Sequence, residues 1–404
     1  MTVDLERTFM ITLEFTEETP YLLSENRLDI ETAKTLQHEH KKKISLEHNL
    51  WEHTYILRSK GYIGYIPVNE NYILKIRPKV DVKNVFRMLE YTYKLKSFEL
   101  LKGLTNVEST EDFFERFVMV LAKRILDRNR KGLYCNYVQK AEELPHLRGR
   151  VKILPTTLSM LRGSTKAACR YEEHTSDLIE NQILLWTLYQ LRQFQIKRKD
   201  VKRVVRKAYR ELIHKVSLKQ INLENCVNRF YNKLNQDYRP LHGLCRFFLE
   251  HVGPGMEQGT YDFVPFVIHM PHLFESFVAE WLRENLPRRY KVTKQFSATF
   301  DSEGNFQFRI DLVITISSTG EVVCVLDTKY KRPTKPEDAD ISQIHTYAAK
   351  METKRAFLVY PSQIITPCNI SIKSIMVSSI VFNLCKDPDT AGKLFLDELL
   401  SYIQ

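Results

Sequence analysis

No apolar run in this 404-residue chain approaches the ~18–20 residues that a membrane-crossing helix requires. Cysteine is sparse: Cys135, Cys169, Cys226, Cys245, Cys324, Cys368 and Cys385, with no Cys-x-x-Cys pair. This scatter supports neither a zinc site nor a disulfide framework, and the plain expectation is reduced thiols. The opening Met1-Thr2-Val3-Asp4-Leu5-Glu6 has no basic-then-apolar character of a secretion signal, so the expected location is cytoplasmic. Gly-x-x-x-x-Gly-Lys-Ser/Thr occurs nowhere, so the chain is not expected to bind or hydrolyse nucleoside triphosphates itself. Internal repeats and low-complexity segments are absent as well.

What is present describes a globular protein, 43% hydrophobic and 27% charged, too long for one ordinary core. The net charge of +11 favours a polyanionic partner, because lysine and arginine neutralise phosphates and release counterions. The excess is concentrated between Arg192 and Lys219, where eleven Lys/Arg face only Asp200 and Glu211. Such a run fits a solvated helix face, an anionic partner protein, or DNA; beside the motif below, DNA is the better reading.

The fold class expected is a multidomain α+β / α/β protein. Residues 1–105 read as a β-rich N-terminal domain: Phe9–Phe15, Gly61–Pro67 and Asn71–Arg77 are strand-like, and a helix follows over Val82–Tyr93. Residues 106–255 read as mainly helical, with an apolar stripe of Phe113, Phe114, Phe117, Leu121 and Ile125. A polar loop runs through Leu147-Arg148-Gly149-Arg150. A long helix then starts near Ser176, with Thr175, Ser176 or Asp177 as its N-cap. Val252-Gly253-Pro254-Gly255 marks the break before a C-terminal α/β domain over 256–404.

That last region carries the chemistry. Phe308–Ile314 and Val322–Lys329 are short apolar runs joined by Ser317-Ser318-Thr319-Gly320, which predicts a hairpin. Side chains alternate along a strand, so Asp327 and Lys329 share a face. Asp311 interrupts an apolar strand, where an unpaired charge is costly. Two carboxylates and one ammonium on adjacent strands suit phosphodiester hydrolysis with a divalent metal. The acids hold Mg²⁺, which polarises phosphate and activates water, while the lysine orients the nucleophile or neutralises developing charge. Asp-x-Lys alone is ordinarily a paired strand end; its neighbours set this one apart. A helix predicted over about 337–351 puts Gln343 and Tyr347 on one face. Upstream, Pro271–Leu282 reads as an amphipathic helix with Glu275 at the edge of its apolar face. His269 and His272 have no further ligands nearby and read as polar residues at a helix start.

A helix with Glu, then Asp, then Asp-x-Lys, then Gln-x-x-x-Tyr resembles the PD-(D/E)XK nuclease superfamily in its RecB-like variant, with Ile310 where a proline is expected. The outer segments narrow the resemblance. Gly64-Tyr65-Ile66-Pro67, Ile76-Arg77-Pro78-Lys79-Val80, Leu147-Arg148-Gly149-Arg150 and Cys169–Asp177 with Glu180-Asn181 resemble McrC, the endonuclease subunit of McrBC modification-dependent restriction systems. The resemblance implies an N-terminal docking part and a C-terminal cutter of double-stranded, modified DNA. It also implies a partner, a hexameric McrB-like AAA+ GTPase that reads methylated cytosine. Asp311, Asp327 and Thr328 would ligate Mg²⁺ (Mn²⁺ in its place), Lys329 would be the catalytic lysine, and Gln343 and Tyr347 would support the site or contact DNA. Glu275 is either a further acid of the metal site or a salt-bridged helix residue. Arg148 and Arg150 could reach a partner's nucleotide or a DNA phosphate, or simply solvate a loop. Two alternatives stay open: a non-catalytic DNA-binding adaptor of an AAA+ motor, and a stand-alone RecB-like nuclease.

Overall fold

The computed structural model describes residues 11–69, 71–95, 110–194, 196–227, 229–251, 266–299 and 307–403. Two compact units emerge, Met1–Thr110 with Pro265–Gln404, and Glu111–Val264. The boundaries expected near residues 105 and 255 lie outside the described residues, as do Phe9 and Met10 of the first expected strand.

The first unit begins with β1 (Ile11–Thr16), β2 (Tyr21–Ser24), α1 (Ile30–His38), β3 (Ile44–Asn49), β4 (Thr54–Ser59), β5 (Tyr62–Pro67), β6 (Tyr72–Arg77) and α2 (Val82–Thr92). Asp29 starts α1 by accepting from the Thr32 amide at 2.7 Å, and Asp81 starts α2 by accepting from the Lys83 amide at 2.8 Å. β1 pairs in parallel with β6, and β6 in antiparallel with β5; β2, β4 and β3 form a separate sheet in that order. Leu13, Phe15, Leu36, Leu57, Leu74 and Ile76 close the core between them.

Glu111–Val264 holds most of α3 (Thr110–Arg130), then β7 (Asn136–Leu144), β8 (Arg150–Val151), α4 (Ile153–Leu161), β9 (Ala167–Thr175), α5 (Ile179–Gln193), α6 (Lys199–Ile213) and α7 (Tyr238–His251). Its helical core is aromatic, with Phe114 edge-on to Phe248 at 5.2 Å and Phe117 beside Phe247. The expectation of a mainly helical region misses a three-stranded antiparallel sheet, β7-β9-β8. β7 is largely exposed on both faces, so no apolar alternation betrayed it. The expected cap of α5 is also different. Leu178 occupies the N-cap with no side-chain bond. Asp177 instead accepts from the Gln182 side chain and the Ser217 amide, each at 2.8 Å, fastening the helix start to a loop.

The chain re-enters the first unit as β10 (Val267–His269), which extends the N-terminal sheet to β1-β6-β5-β10. Gly64 makes this possible: a Cβ there would lie 2.2 Å from the Phe266 carbonyl oxygen, and its φ is +114°. Then come α8 (Met270–Asn285), β11 (Tyr290–Thr299), β12 (Gln307–Ile316), β13 (Val322–Thr328), α9 (Asp338–Lys350), β14 (Arg355–Tyr360), β15 (Asn369–Ile372), β16 (Ile375–Val381) and α10 (Pro388–Ile403). They build a six-stranded sheet, β11-β12-β13-β14-β16-β15. β13 and β14 run parallel, joined through α9 as a β-α-β crossover. α8 buries Phe274, Phe277 and Trp281, and Phe277 meets Tyr91 of α2 edge-on at 5.5 Å. Among the described residues no helix is long and apolar enough to cross a membrane.

Candidate active site

The predicted hairpin forms. β12 and β13 pair antiparallel with Leu312 opposite Leu326, which brings Asp311 and Asp327, one residue further along, to the same end. Asp311 is fastened there: its Oδ2 accepts from the Thr328 amide and from the Thr328 hydroxyl, each at 2.8 Å. Asp327 is only 5% exposed. Burial raises its pKa to about 7, and the Asp311 charge adds to this, against a downward pull from Lys329.

Lys329 leaves the strand end with Nζ 2.6 Å from Asp327 Oδ2 and 3.2 Å from Asp340 Oδ1. Burial alone would lower its pKa, but the two acids outweigh it and hold the ammonium above its ordinary value. α9 supplies the other side. Gln343 Oε1 accepts from Lys329 Nζ at 2.9 Å, and Gln343 Nε2 donates to the Tyr347 hydroxyl at 3.0 Å. Helical periodicity puts Asp340, Gln343 and Tyr347 on one face.

Glu275 of α8 belongs to the same electrostatic neighbourhood. Burial raises its pKa; Lys294, 3.8 Å away, pulls it down, and the charge of Asp311 pushes it up again. Its Oε1 is buried with no hydrogen-bond partner. β11 bends to meet it at Gln295, whose φ is +53°, a left-handed value that costs a non-glycine residue on the order of 1–2 kcal/mol. The strand pairing skips this residue, running from Lys294 opposite Leu312 to Phe296 opposite Ile310.

These donors suit a hard divalent cation. Two carboxylates repel each other in a poorly solvated pocket, and a third carries an unsatisfied oxygen. Mg²⁺ is commonly held by one or two carboxylates, with water and substrate phosphate completing its shell. Among the described residues no group of three or more His, Cys, Asp or Glu surrounds a single ion position. The two carboxylates whose charges interact most closely here are Asp311 and Asp327, and the charge of Asp311 also reaches Glu275.

A model of the McrBC 5-methylcytosine restriction system component family matches residues 57–361. This chain belongs to that family. It is 24% identical over 273 residues, 63% of its length, to 74% of the type IV methyl-directed restriction enzyme EcoKMcrBC of Escherichia coli strain K12. Its fold is similar, with a TM-score of 0.58 and 17% identity over 97% of its length, to the whole of a chain from a half-complex of the tetradecameric assembly of Thermococcus gammatolerans McrB AAA+ hexamers with bound McrC. The resemblance to McrC visible in the motifs is thereby borne out.

The McrBC match spans Glu275, Asp311, Asp327, Thr328, Lys329, Gln343 and Tyr347, and the fold gathers them at one end of the six-stranded sheet. Two members of the site escaped the sequence reading. Asp340 sits one helical turn before Gln343, and that spacing was a usable signal. Gln295 was invisible, because only the backbone bend gives it meaning. Tyr330-Lys331-Arg332, which follow Lys329, are engaged within the protein. Tyr330 is buried and donates to Glu17 Oε1 at 2.9 Å; Lys331 pairs with Asp340 at 2.6 Å and Glu337 at 2.7 Å; Arg332 donates to the Lys79 carbonyl at 3.3 Å.

Other motif segments of this McrBC chain turn out to brace the fold. Asn181 is fully buried, donating to the Tyr134 and Ser176 carbonyls and accepting from the Tyr238 hydroxyl at 2.6 Å. Gly149, with φ +64°, brings β8 so close to β9 that a Cβ would lie 2.5 Å from the Arg170 carbonyl oxygen. Arg148 lies over the Tyr171 ring at 4.0 Å and 3.5 Å from Glu173, whereas Arg150 is exposed.

Proposed function

We propose that this McrBC-family chain is the DNA-cutting subunit of a modification-dependent restriction system, hydrolysing phosphodiesters with Mg²⁺ (or Mn²⁺). The observation that carries this reading is the convergence of Asp311, Asp327, Lys329 and Gln343 at one sheet end, where buried Asp327 lies close enough to Asp311 for the two charges to repel, an arrangement that a divalent cation would relieve. The order of α8 with Glu275, β12, β13 and α9 supports reading this region as a PD-(D/E)XK core.

Asp311 and Asp327 would hold the ion, together with an oxygen of Thr328. When bound, the ion supplies Lewis acidity toward the phosphate and makes water acidic enough to attack. The protein's own part is positioning. Thr328 fixes the Asp311 carboxylate. Asp340 and Gln343 direct the Lys329 ammonium toward the pocket, where it neutralises charge developing on phosphate. Tyr347 holds the Gln343 amide so that its oxygen, rather than its NH₂, faces Lys329.

The relatives support a division of labour. The chain has no phosphate loop, and the structurally similar chain comes from an assembly of McrB AAA+ hexamers with McrC; nucleotide hydrolysis and recognition of the modified base would therefore belong to a hexameric McrB-like AAA+ GTPase. An exposed apolar patch around α4 and the β7-β9-β8 sheet, with Leu147, Ile153, Leu154 and Leu161 each more than 70% exposed, would suit docking of that partner, in the middle region and not in the N-terminal part that the resemblance implies. The test is cleavage of methylated plasmid by wild type and Asp327→Ala with the partner, GTP and Mg²⁺. Cleavage should vanish while partner binding and its GTPase stimulation persist. Undiminished cutting by Asp327→Ala would refute the site.

A further inference from the structure

Helix α6 of the Glu111–Val264 unit is built with two opposite faces. Val201, Val205, Ala208 and Leu212 are each no more than 1% exposed and form part of the core. On the other side Lys199, Arg203, Arg206 and Arg210 are exposed. At ~100° per residue these four fall within about 60° of one another, in a line about 16 Å long. The helix's two acids lie off that line and are already paired: Asp200 with Arg198 at 2.6 Å, and Glu211 with Lys207 at 3.9 Å and with Asn129. Among the described residues no carboxylate pairs with the four cations of the line.

From this arrangement we infer that the α6 stripe is a binding surface for the phosphate backbone of double-stranded DNA, read without regard to base sequence. Over about 16 Å a duplex carries on the order of nine phosphate charges. Three of the four cations are arginines, whose planar fork suits phosphate oxygens. Two other anionic surfaces fit poorly. A membrane-surface helix must offer its apolar face to lipid, and that of α6 is buried in the protein. Single-stranded nucleic acid is usually gripped by exposed aromatic platforms. Tyr209, the aromatic residue of this helix, is only 9% exposed and lies under the Arg192 guanidinium at 4.2 Å.

This inference depends on the DNA-binding part of the function proposed above and not on cleavage, so it is measured with cleavage switched off. The full chain is titrated onto an unmodified 30-base-pair duplex in EDTA, across a series of NaCl concentrations. The stripe variant is Lys199→Gln/Arg203→Gln/Arg206→Gln/Arg210→Gln, since glutamine keeps helix propensity. The charge-matched control is Lys34→Gln/Lys41→Gln/Lys42→Gln/Lys373→Gln, four lysines exposed elsewhere. Each phosphate contact contributes about 0.9 to the slope of log K against log[salt]. The stripe variant should lose roughly three to four from that slope and bind at least ~30-fold more weakly at about 0.1 M salt. The control should stay within one slope unit of wild type.

Equal weakening of both variants would overturn the inference, because net charge alone would then explain binding. Unchanged duplex binding with lost stimulation of the AAA+ partner would overturn it in favour of an acidic protein surface. So would full competition by single-stranded DNA of the same length. A chain that binds through the stripe but never cuts would sink the nuclease reading and leave this inference standing.

Discussion

Glu17→Gln should make the protein more stable at pH 8 and no more stable at pH 5. Glu17 is 1% exposed just beyond β1. Its Oε1 accepts from the Tyr330 hydroxyl at 2.9 Å and the Lys79 amide at 3.0 Å, but its Oε2 is buried with no hydrogen-bond partner. Burial raises its pKa from 4.5 to about 7 even after the help of Lys79 and Tyr330. A carboxyl whose folded pKa lies above its unfolded value binds the proton more tightly when folded. Stability is then lost as pH rises from about 4.5 to about 7, and the loss stays constant above. At ~1.36 kcal/mol per pKa unit the full loss is about 3 kcal/mol, of which roughly 2–3 kcal/mol falls between pH 5 and pH 8. Glutamine cannot ionise, so that loss disappears. Its NH₂ meets no acceptor in place of Oε2, which costs on the order of 1 kcal/mol at every pH. The two stability curves should therefore cross between pH 5 and pH 8. Urea unfolding of both proteins at pH 5, 6, 7 and 8 in EDTA reads this directly. Parallel curves, or a less stable variant at pH 8, would show that Glu17 is ionised at no cost and refute the reasoning.

Asp327→Asn should lose at least ~10³-fold in plasmid cleavage and should also lose the rise in unfolding midpoint that millimolar Mg²⁺ gives the wild type at pH 8, a linkage effect of selective binding to the folded state. An equal Mg²⁺ effect in both proteins would place the ion elsewhere. Asp340→Asn should cut turnover roughly 10–100-fold, the usual range for partners that orient a site, with little change in KM; a KM effect alone would make Asp340 a binding residue. Tyr330→Phe leaves the Glu17 carboxyl short of a partner and should destabilise by about 1–3 kcal/mol at neutral pH, by urea unfolding. Gly64→Ala forces a Cβ to within 2.2 Å of the Phe266 oxygen and should detach β10 from β5; soluble protein with unchanged proteolysis at 266–270 would contradict this.

Much of the site could be read along the chain because its parts sit on two regular periodicities. Asp311, Asp327 and Lys329 obey the alternation of strands, and Gln343 and Tyr347 the turn of a helix. The β7-β9-β8 sheet could not be read in this way: β7 is polar and exposed along most of its length, so nothing in its pattern separates it from a loop. The role of Tyr330 could not be read along the chain for a related reason. Its partner is Glu17, 313 residues away in sequence, which accepts from its hydroxyl.

By itself, then, the sequence determined which candidate side chains this protein carries and on which kinds of segment, since local periodicity and residue type are properties of neighbours along the chain. Only the tertiary structure decided which charges share a pocket: that Asp340 holds Lys329, that a bend at Gln295 meets Glu275, and that a carboxyl beyond β1 braces the residue after Lys329. The physical reason is that pKa, ion pairing and burial depend on distances through space, and those distances are set by strand register and helix packing among segments hundreds of residues apart.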